Sequence, residues 1–341
     1  MEDSVDTKRY DRQIRLWGLD TQRGLAAARV LLLSASGLAD ELAKNLVLAG
    51  VHTLTLLDTR ILTTLDAQAG GSFTATKESV GRHRADAAAE ALQELNPSVS
   101  VQPLAGPLAS VDDETLRGFH FIIGTRGVHS VCEMLECTQR LRGGGGTAAR
   151  KRPRADDDVA SAPEPKLLLA GAHGLFGFCV LDLGQYEYHV DIKDTKTNEV
   201  TGTSRRQISY PQMGDALAMP WSKLGRRVPR LWCVLQLLCE QMRGGGVDVD
   251  AAALETLRVS KLAASATREA DFLREPVSAE YVAQVAEHSA SELSPVCAIV
   301  GGMVASEVIK IISGKELPIN NVLTFDATTK TEAAAQVSRL G

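Results

Sequence analysis

A doubly wound, Rossmann-like α/β fold is predicted by three observations. Short apolar runs bounded by glycine alternate with stretches whose apolar residues recur at helical spacing, the pattern of a parallel sheet covered on both faces. The segment VLLLSASGLADELAKNLVLAGVHTLTLLD at 30–58 has the outline of a strand–turn–helix–strand nucleotide-binding unit. The chain also has the substance for real cores, with 341 residues and 44% hydrophobic content.

Each element follows from local pattern. Residues 1–28 are polar and arginine-rich, with Tyr10 and Trp17 as an aromatic pair. A first strand is expected at 29–33, a helix at 40–49 with Leu42, Leu46 and Ala49 on one face, and a second strand at 51–57 ending in Asp58. An amphipathic helix at 82–95 is closed by Asn96-Pro97, strands follow at 98–103 and 119–124, and a helix at 128–140. These elements make residues 1–141 the first part of the fold. From 142 to 166 the composition changes to RGGGGTAARKRPRADDDVASAPEPK, which has little to bury and reads as a disordered insertion. Its basic tetrad Lys151-Arg152-Pro153-Arg154 reads either as a nuclear import signal or as plain solvation beside the aspartates.

The sheet is expected to resume at 167–171 and to continue to 210, with an antiparallel stretch at 187–190. Residues 211–290 read as a helical inserted segment: 231–242 sets Leu231, Leu235 and Leu238 on one face, and 251–262 carries a second apolar stripe after Gly244-Gly245-Gly246. The last part, 291–341, returns to the fold with a small-residue helix at 295–312 and a strand at 321–325. Glycine inside a helix costs about 1 kcal/mol, so Gly301-Gly302 implies either an interface or a tight core contact.

Composition excludes several classes of function. The net charge is -5 and the pI about 5.9, so no global basic field recruits nucleic acid or an anionic membrane. Six cysteines form no CxxC pair, no run of 18 uninterrupted apolar residues is read, and nothing at the start resembles a signal peptide. A soluble intracellular protein without a metal site is expected.

The candidate chemistry is sparse. A phosphate-binding loop needs glycines for its tight turn and for close approach of the phosphates, yet this loop keeps Gly37 and surrounds it with Ser34, Ser36, Ala39 and Asp40. The carboxylates of Asp40 and Glu41 would sit where a helix N-terminus should welcome phosphate. Asp58 is placed either as a ribose-holding acid or as a strand-end turn aspartate. Cys132, Cys137 and Cys179 read as buried small hydrophobes, whereas Cys297, beside a helix start, is a position where a thiolate could be favoured. His83 and His173 lack metal-ligand spacing, and His173 reads as structural. Arg9, Arg12 and Arg15 recur at three-residue spacing and would line a short helix, as phosphate or carboxylate ligands or as a solvated basic face.

Five blocks in order carry a resemblance: YDRQIRLWG at 10–18, AKNLVLAGV at 43–51, SVGRHRA at 79–85, the Leu95-Asn96-Pro97 turn, and PVCAIVGGMVASEVIK at 295–310. Together they resemble the small regulatory subunits of SUMO-activating enzymes, within the ubiquitin-like-modifier activating enzyme family. The resemblance spans the chain apart from the glycine-rich insertion and a loose middle. The enzyme activating the NEDD-type modifier shares YDRQ-RLWG, but its small subunit is longer.

The resemblance implies a ThiF/MoeB-like adenylation fold in a pseudo-symmetric heterodimer, with ATP, Mg2+, the catalytic cysteine and a structural zinc held by the large partner. It also implies service to SUMO, an indirect link to the SUMO-conjugating enzyme, and a place in the nucleus. Active members carry GxGGxG where this chain has SASGLA at 34–39, and an asparagine before an arginine–glutamine pair where it has Asp66, Ala67, Gln68, Ala69, Gly70, Gly71 and Ser72 before Phe73. Ser34, Ser36, Gly37 and Asp58 are therefore vestigial, and no cofactor is expected here. Arg12 matches the arginine that the inactive subunit reaches into its partner's ATP site. The alternatives are a NEDD-type small subunit and a self-sufficient adenylating enzyme.

Overall fold

The computed structural model describes residues 5–143, 164–193, 200–244, 249–265, 276–329 and 335–340. Most of the segment expected as a disordered insertion, with its basic tetrad, lies outside them. The polar N-terminal stretch is two short helices, α1 (Asp11–Trp17) and α2 (Leu19–Ala27). The expected β-α-β unit follows as β1 (Arg29–Leu33), α3 (Gly37–Ala49) and β2 (Thr53–Leu57). α3 starts three residues earlier than its apolar period suggests, because Ser36 caps it by accepting a hydrogen bond from the Ala39 N–H. It ends at Gly50, where φ is 86° and the Tyr10 ring fills the space a Cβ would need.

The first half is completed by α4 (Thr64–Ala69), α5 (Arg84–Gln93), β3 (Ser100–Leu104), α6 (Asp113–Arg117), β4 (Phe121–Gly124) and α7 (Val131–Arg142). Strands β5 (Lys166–His173) and β6 (Phe176–Asp182) lead into β7 (Gln185–Lys193) and β8 (Val200–Ser209). The helical segment holds α8 (Met213–Ala218), α9 (Arg230–Arg243), α10 (Ala251–Ala264) and α11 (Ala279–Glu287). The chain then returns through α12 (Ser294–Ser313), β9 (Val322–Asp326) and β10 (Ala335–Ser338).

Eight of these strands form one sheet in the order β10-β9-β6-β5-β4-β1-β2-β3. The run from β5 to β3 is parallel, with Val30 opposite both Leu54 and Phe121. β6 turns back antiparallel to β5, since only Gly174 and Leu175 join them and two residues cannot make a crossover. β9 and β10 extend this antiparallel edge, and the expected stretch at 187–190 belongs to a separate ribbon of β7 with β8, a partner strand the sequence reading did not identify. Along β1 the side chains alternate: Leu31 and Leu33 join a core with α7, α9 and α11, while Val30 and Leu32 join another with α3, α5 and α12. The inserted helices thus share the sheet's core.

Helix α12 is long and apolar enough, by composition alone, to pass for a membrane span. The reading that no such run exists counted its glycines as breaks, whereas they serve packing. A Cβ on Gly301 would lie 3.0 Å from the Leu42 N and from the Glu41 Cβ of α3, while one on Gly302 would meet nothing within 4 Å. Of the two readings of this pair, the tight core contact describes Gly301. Gly301→Ala is expected to destabilise the chain by about 1–3 kcal/mol through overpacking. Gly302→Ala should instead gain up to about 1 kcal/mol of helix propensity, and paired chemical denaturation curves check the contrast.

Candidate functional site

In an open α/β sheet ligands bind beyond the carboxyl ends of the strands where the strand order reverses, here between β1 and β4. The loop after β1 keeps the turn of a phosphate-binding loop without its residues. Ser34 stands at φ 92°, a conformation glycine adopts freely and a side chain adopts at a cost. Its environment holds it there: Ser34 N–H donates to the Leu57 carbonyl (2.8 Å), and its own carbonyl accepts from the Thr125 hydroxyl (2.7 Å). The Ser36 hydroxyl donates to the Thr125 carbonyl at 3.1 Å.

Asp58 resolves in favour of the structural reading. Its carboxylate accepts from the Ala35 N–H (2.8 Å) and from the Arg60 guanidinium at Nε (3.0 Å) and Nη2 (2.5 Å). Burial alone would raise its pKa, but the Arg60 guanidinium and the Ala35 amide hold the carboxyl below the ordinary range. Arg60 Nη2 also donates to the Ser34 hydroxyl (2.6 Å) and to the Ala35 carbonyl (3.2 Å), which accepts from Arg84 Nη1 as well (3.5 Å). The acid that would receive a ribose is tied to its own loop.

The position of a phosphate at the N-terminus of α3 is filled. Glu292 Oε2 accepts the Gly37 N–H at 2.6 Å, across 255 residues of sequence. This corrects the placement of Asp40 and Glu41 at that point. Glu41 pairs with Lys44 along α3, while Asp40 turns inward and accepts from the Ser72 hydroxyl (2.5 Å) and from the Thr74 hydroxyl (2.9 Å) and amide (3.2 Å). Burial, outweighing these donors, pushes the Asp40 carboxyl up to about 6. The Asp40 bonds draw the 70–74 loop over the site, and a Cβ on Gly37 would lie 2.1 Å from the Gly71 carbonyl oxygen, so only glycine fits there. Asp66, at the head of that loop, caps α4 through Thr63 and pairs with Arg84. The Gly37 amide and the Asp58 carboxylate, two groups a nucleotide would use, are thus already paired within the chain.

None of the five buried thiols is activated. Burial pushes Cys137 and Cys239 up to about 12 and raises Cys179 and Cys233 further. Cys297 was placed where a thiolate could be favoured; burial first, and then the neighbouring Glu292, Glu41 and Asp40, raise its pKa instead. Cys132 is exposed, contrary to its reading as a buried hydrophobe, because it lies on the outer side of α7 while Cys137 faces the core. His83 is an exposed residue preceding α5.

His173 is structural, as read. It is fully enclosed, its ring stacks on Phe178, and its Nδ1 lies 2.7 Å from the Ser289 carbonyl, an acceptor, so Nδ1 carries the proton. Nε2 has no partner and faces Gly127, and burial lowers the pKa to about 4. A depressed histidine contributes stability that is full above its unfolded value near 6.5 and is lost as pH falls toward 4. That loss is expected to reach about 3 kcal/mol, read as a falling urea midpoint over this window, with a shallower slope in His173→Gln.

The three arginines do not converge. Arg9 Nη1 donates to the Asn96 side-chain oxygen (2.8 Å), and Arg15 pairs with Asp11 within α1. Arg12 is exposed on α1 and makes no hydrogen bond or ion pair among the described residues. Asn96, read from sequence only as a helix-ending turn, is a hub: its Nδ2 donates to the Tyr10 hydroxyl (2.9 Å) and to the Val47 carbonyl (2.8 Å), fixing the base of α1 on α3. Beside α1 runs a groove of about 670 Å³ lined by Leu16, Trp17, Leu48, Gly302 and Ile309, with Leu16 73% and Leu48 47% exposed. Arg60, Arg84 and Glu292 were missed by sequence reasoning; only Arg84 lay in a block that carried the resemblance.

Known proteins resemble this chain in sequence and in fold. The ThiF family matches residues 10–340. The chain is similar to SUMO-activating enzyme subunit 1 of Homo sapiens, at 31% identity over 94% of this chain and 92% of the relative. It is similar also to that of Danio rerio, at 30% over the same shares, and to that of Dictyostelium discoideum, at 28% over 97% and 93%. Among solved structures, E. coli MccB crystallised with succinimide superposes with a TM-score of 0.53 at 13% identity, covering all of this chain and 73% of that one, a likeness of fold alone.

Proposed function

The chain belongs to the ThiF family, and from that premise we propose that it is the non-catalytic small subunit of a heterodimeric SUMO-activating enzyme. The large partner binds ATP and Mg2+, adenylates the C-terminal carboxylate of SUMO and takes the modifier onto its cysteine. The observation that carries this reading is the closure of the chain's own site: Arg60 occupies Asp58, Glu292 occupies the Gly37 amide, and the Cys297 thiol is raised by burial. The names of the relatives supply the modifier.

What this chain contributes is a surface and a charge. α1 presents Arg12 outward on a base fixed by Asn96, next to the groove that exposes Leu16 and Leu48. We assign that face to the large subunit, so that Arg12 enters the partner's ATP site only on assembly. A rigid guanidinium suits charge that develops on phosphate oxygens, because it needs no reorganisation at the moment of reaction. The SUMO-conjugating enzyme meets the chain only through the partner.

Co-expression with candidate large subunits, read out as modifier-dependent exchange of pyrophosphate into ATP, tests the assignment. Exchange is expected with the SUMO pair. Exchange driven only by the NEDD-type modifier would replace SUMO in the proposal. ATP binding by the isolated chain in calorimetry would overturn it in favour of a self-sufficient adenylating enzyme.

A further inference from the structure

We propose that Glu292 is a built-in stopper: its carboxylate takes the place of a phosphate at the N-terminus of α3 and keeps this chain's nucleotide site closed. The inference deepens the reading of a non-catalytic subunit and rests on it only for the absence of nucleotide binding, not for the identity of the partner.

A helix N-terminus presents unpaired N–H groups and a positive dipole end, which bind anions. In this chain a carboxyl oxygen is already there. The Gly37 amide donates to Glu292 Oε2 in a short bond of 2.6 Å; burial raises the Glu292 pKa, and the Gly37 and Leu38 amides work against that rise. Space is as limiting as charge. A Cβ on Gly37 would come within 3.0 Å of Glu292 Oε2, and one on Gly71 within 3.0 Å of the Glu292 carbonyl oxygen, so loop, stopper and helix end are in direct contact.

The stopper is held from behind. The Gly174 N–H donates to the Ser291 carbonyl at 2.7 Å, the His173 ring bonds the Ser289 carbonyl, and a Cβ on Gly174 would strike the His288 side chain. On the other side Ser294 and Pro295 begin α12, which fixes the direction of the chain. Glu292 thus projects from a short segment anchored at both ends, so its carboxylate is positioned before any ligand arrives. Loss of the loop glycines by itself weakens a phosphate site. The structure adds a group that competes for the same amide at effectively high concentration.

The test uses the full chain without a partner and titrates inorganic pyrophosphate by calorimetry. The wild type is expected to show no binding at about 10 mM, and Glu292→Ala to bind at least about tenfold more tightly than that limit. Glu292→Gln keeps the volume and an acceptor for the Gly37 amide and is expected to stay closed. Glu292→Ser serves as the second open variant if the alanine chain does not fold. Hydrogen exchange reads the contact without ligand: the Gly37 amide is expected to be protected in the wild type and to exchange faster in an open variant. Failure of folded open variants to bind pyrophosphate, or fast exchange at Gly37 in the wild type, would overturn the stopper while leaving the non-catalytic reading intact. Binding of pyrophosphate by the wild type as tightly as by Glu292→Ala would overturn both.

Discussion

Arg12→Ala is expected to lower modifier adenylation by the assembled heterodimer by about 10²-fold, the usual cost of deleting one preorganised donor to developing oxyanion charge, while leaving assembly unchanged. The reason lies in how α1 is built. Its base is fixed by the Tyr10 ring against Gly50, by Asn96, and by bonds from Gln13 to the Leu48 carbonyl (3.2 Å) and from Lys315 to the Trp17 carbonyl (3.1 Å). Arg12 is exposed and makes no hydrogen bond or ion pair among the described residues, so truncating it removes no such bond there. Pyrophosphate exchange at limiting ATP measures the effect and gel filtration measures assembly. Unchanged exchange would remove Arg12 from the reaction. Arg12→Lys should recover only part of the rate, because an ammonium lacks the planar fork.

Asp182→Ala is expected to destabilise the chain by about 3–5 kcal/mol. Asp182 is fully buried at the end of β6 and pairs with Arg142, the last residue of α7. Its second oxygen accepts the Met213 N–H at 2.9 Å, and Arg142 Nη2 also donates to its carbonyl at 2.9 Å. One carboxylate thus joins the end of α7, the sheet and the start of the helical segment. Removing it leaves a guanidinium buried without its counter-charge. The double change Arg142→Met/Asp182→Ala should recover part of the loss, and urea denaturation of the three chains decides. Near-additive single effects would show that the two groups do not act as a pair.

The legibility of this chain differed by kind of feature. The β-α-β unit was readable because alternation and helical period are local: Leu42, Leu46 and Ala49 mark one face whatever surrounds them. The loss of the glycine loop was readable for the same reason. The reversal at β6 and the ribbon of β7 with β8 were not, since pairing depends on which strand lies alongside. Asn96 read as a turn residue because its partners Arg9, Tyr10 and Val47 lie 87, 86 and 49 residues away. Cys297 was misjudged because its helix-start position is visible in sequence and the three carboxylates around it are not.

By itself the sequence determined the fold class, the family through its five ordered blocks, and the failure of the phosphate loop, all properties of neighbouring residues. Only the tertiary structure decided what occupies that failed site. Gly37 and Glu292 are 255 positions apart, and their 2.6 Å contact exists only once α12 has packed on α3 and the segment before it has been tied to β5. A missing glycine shows that a site has been weakened. Which group takes up the freed amide is settled by the long-range packing that brings a carboxylate to it, because a buried N–H must find a partner and the nearest anion supplies one.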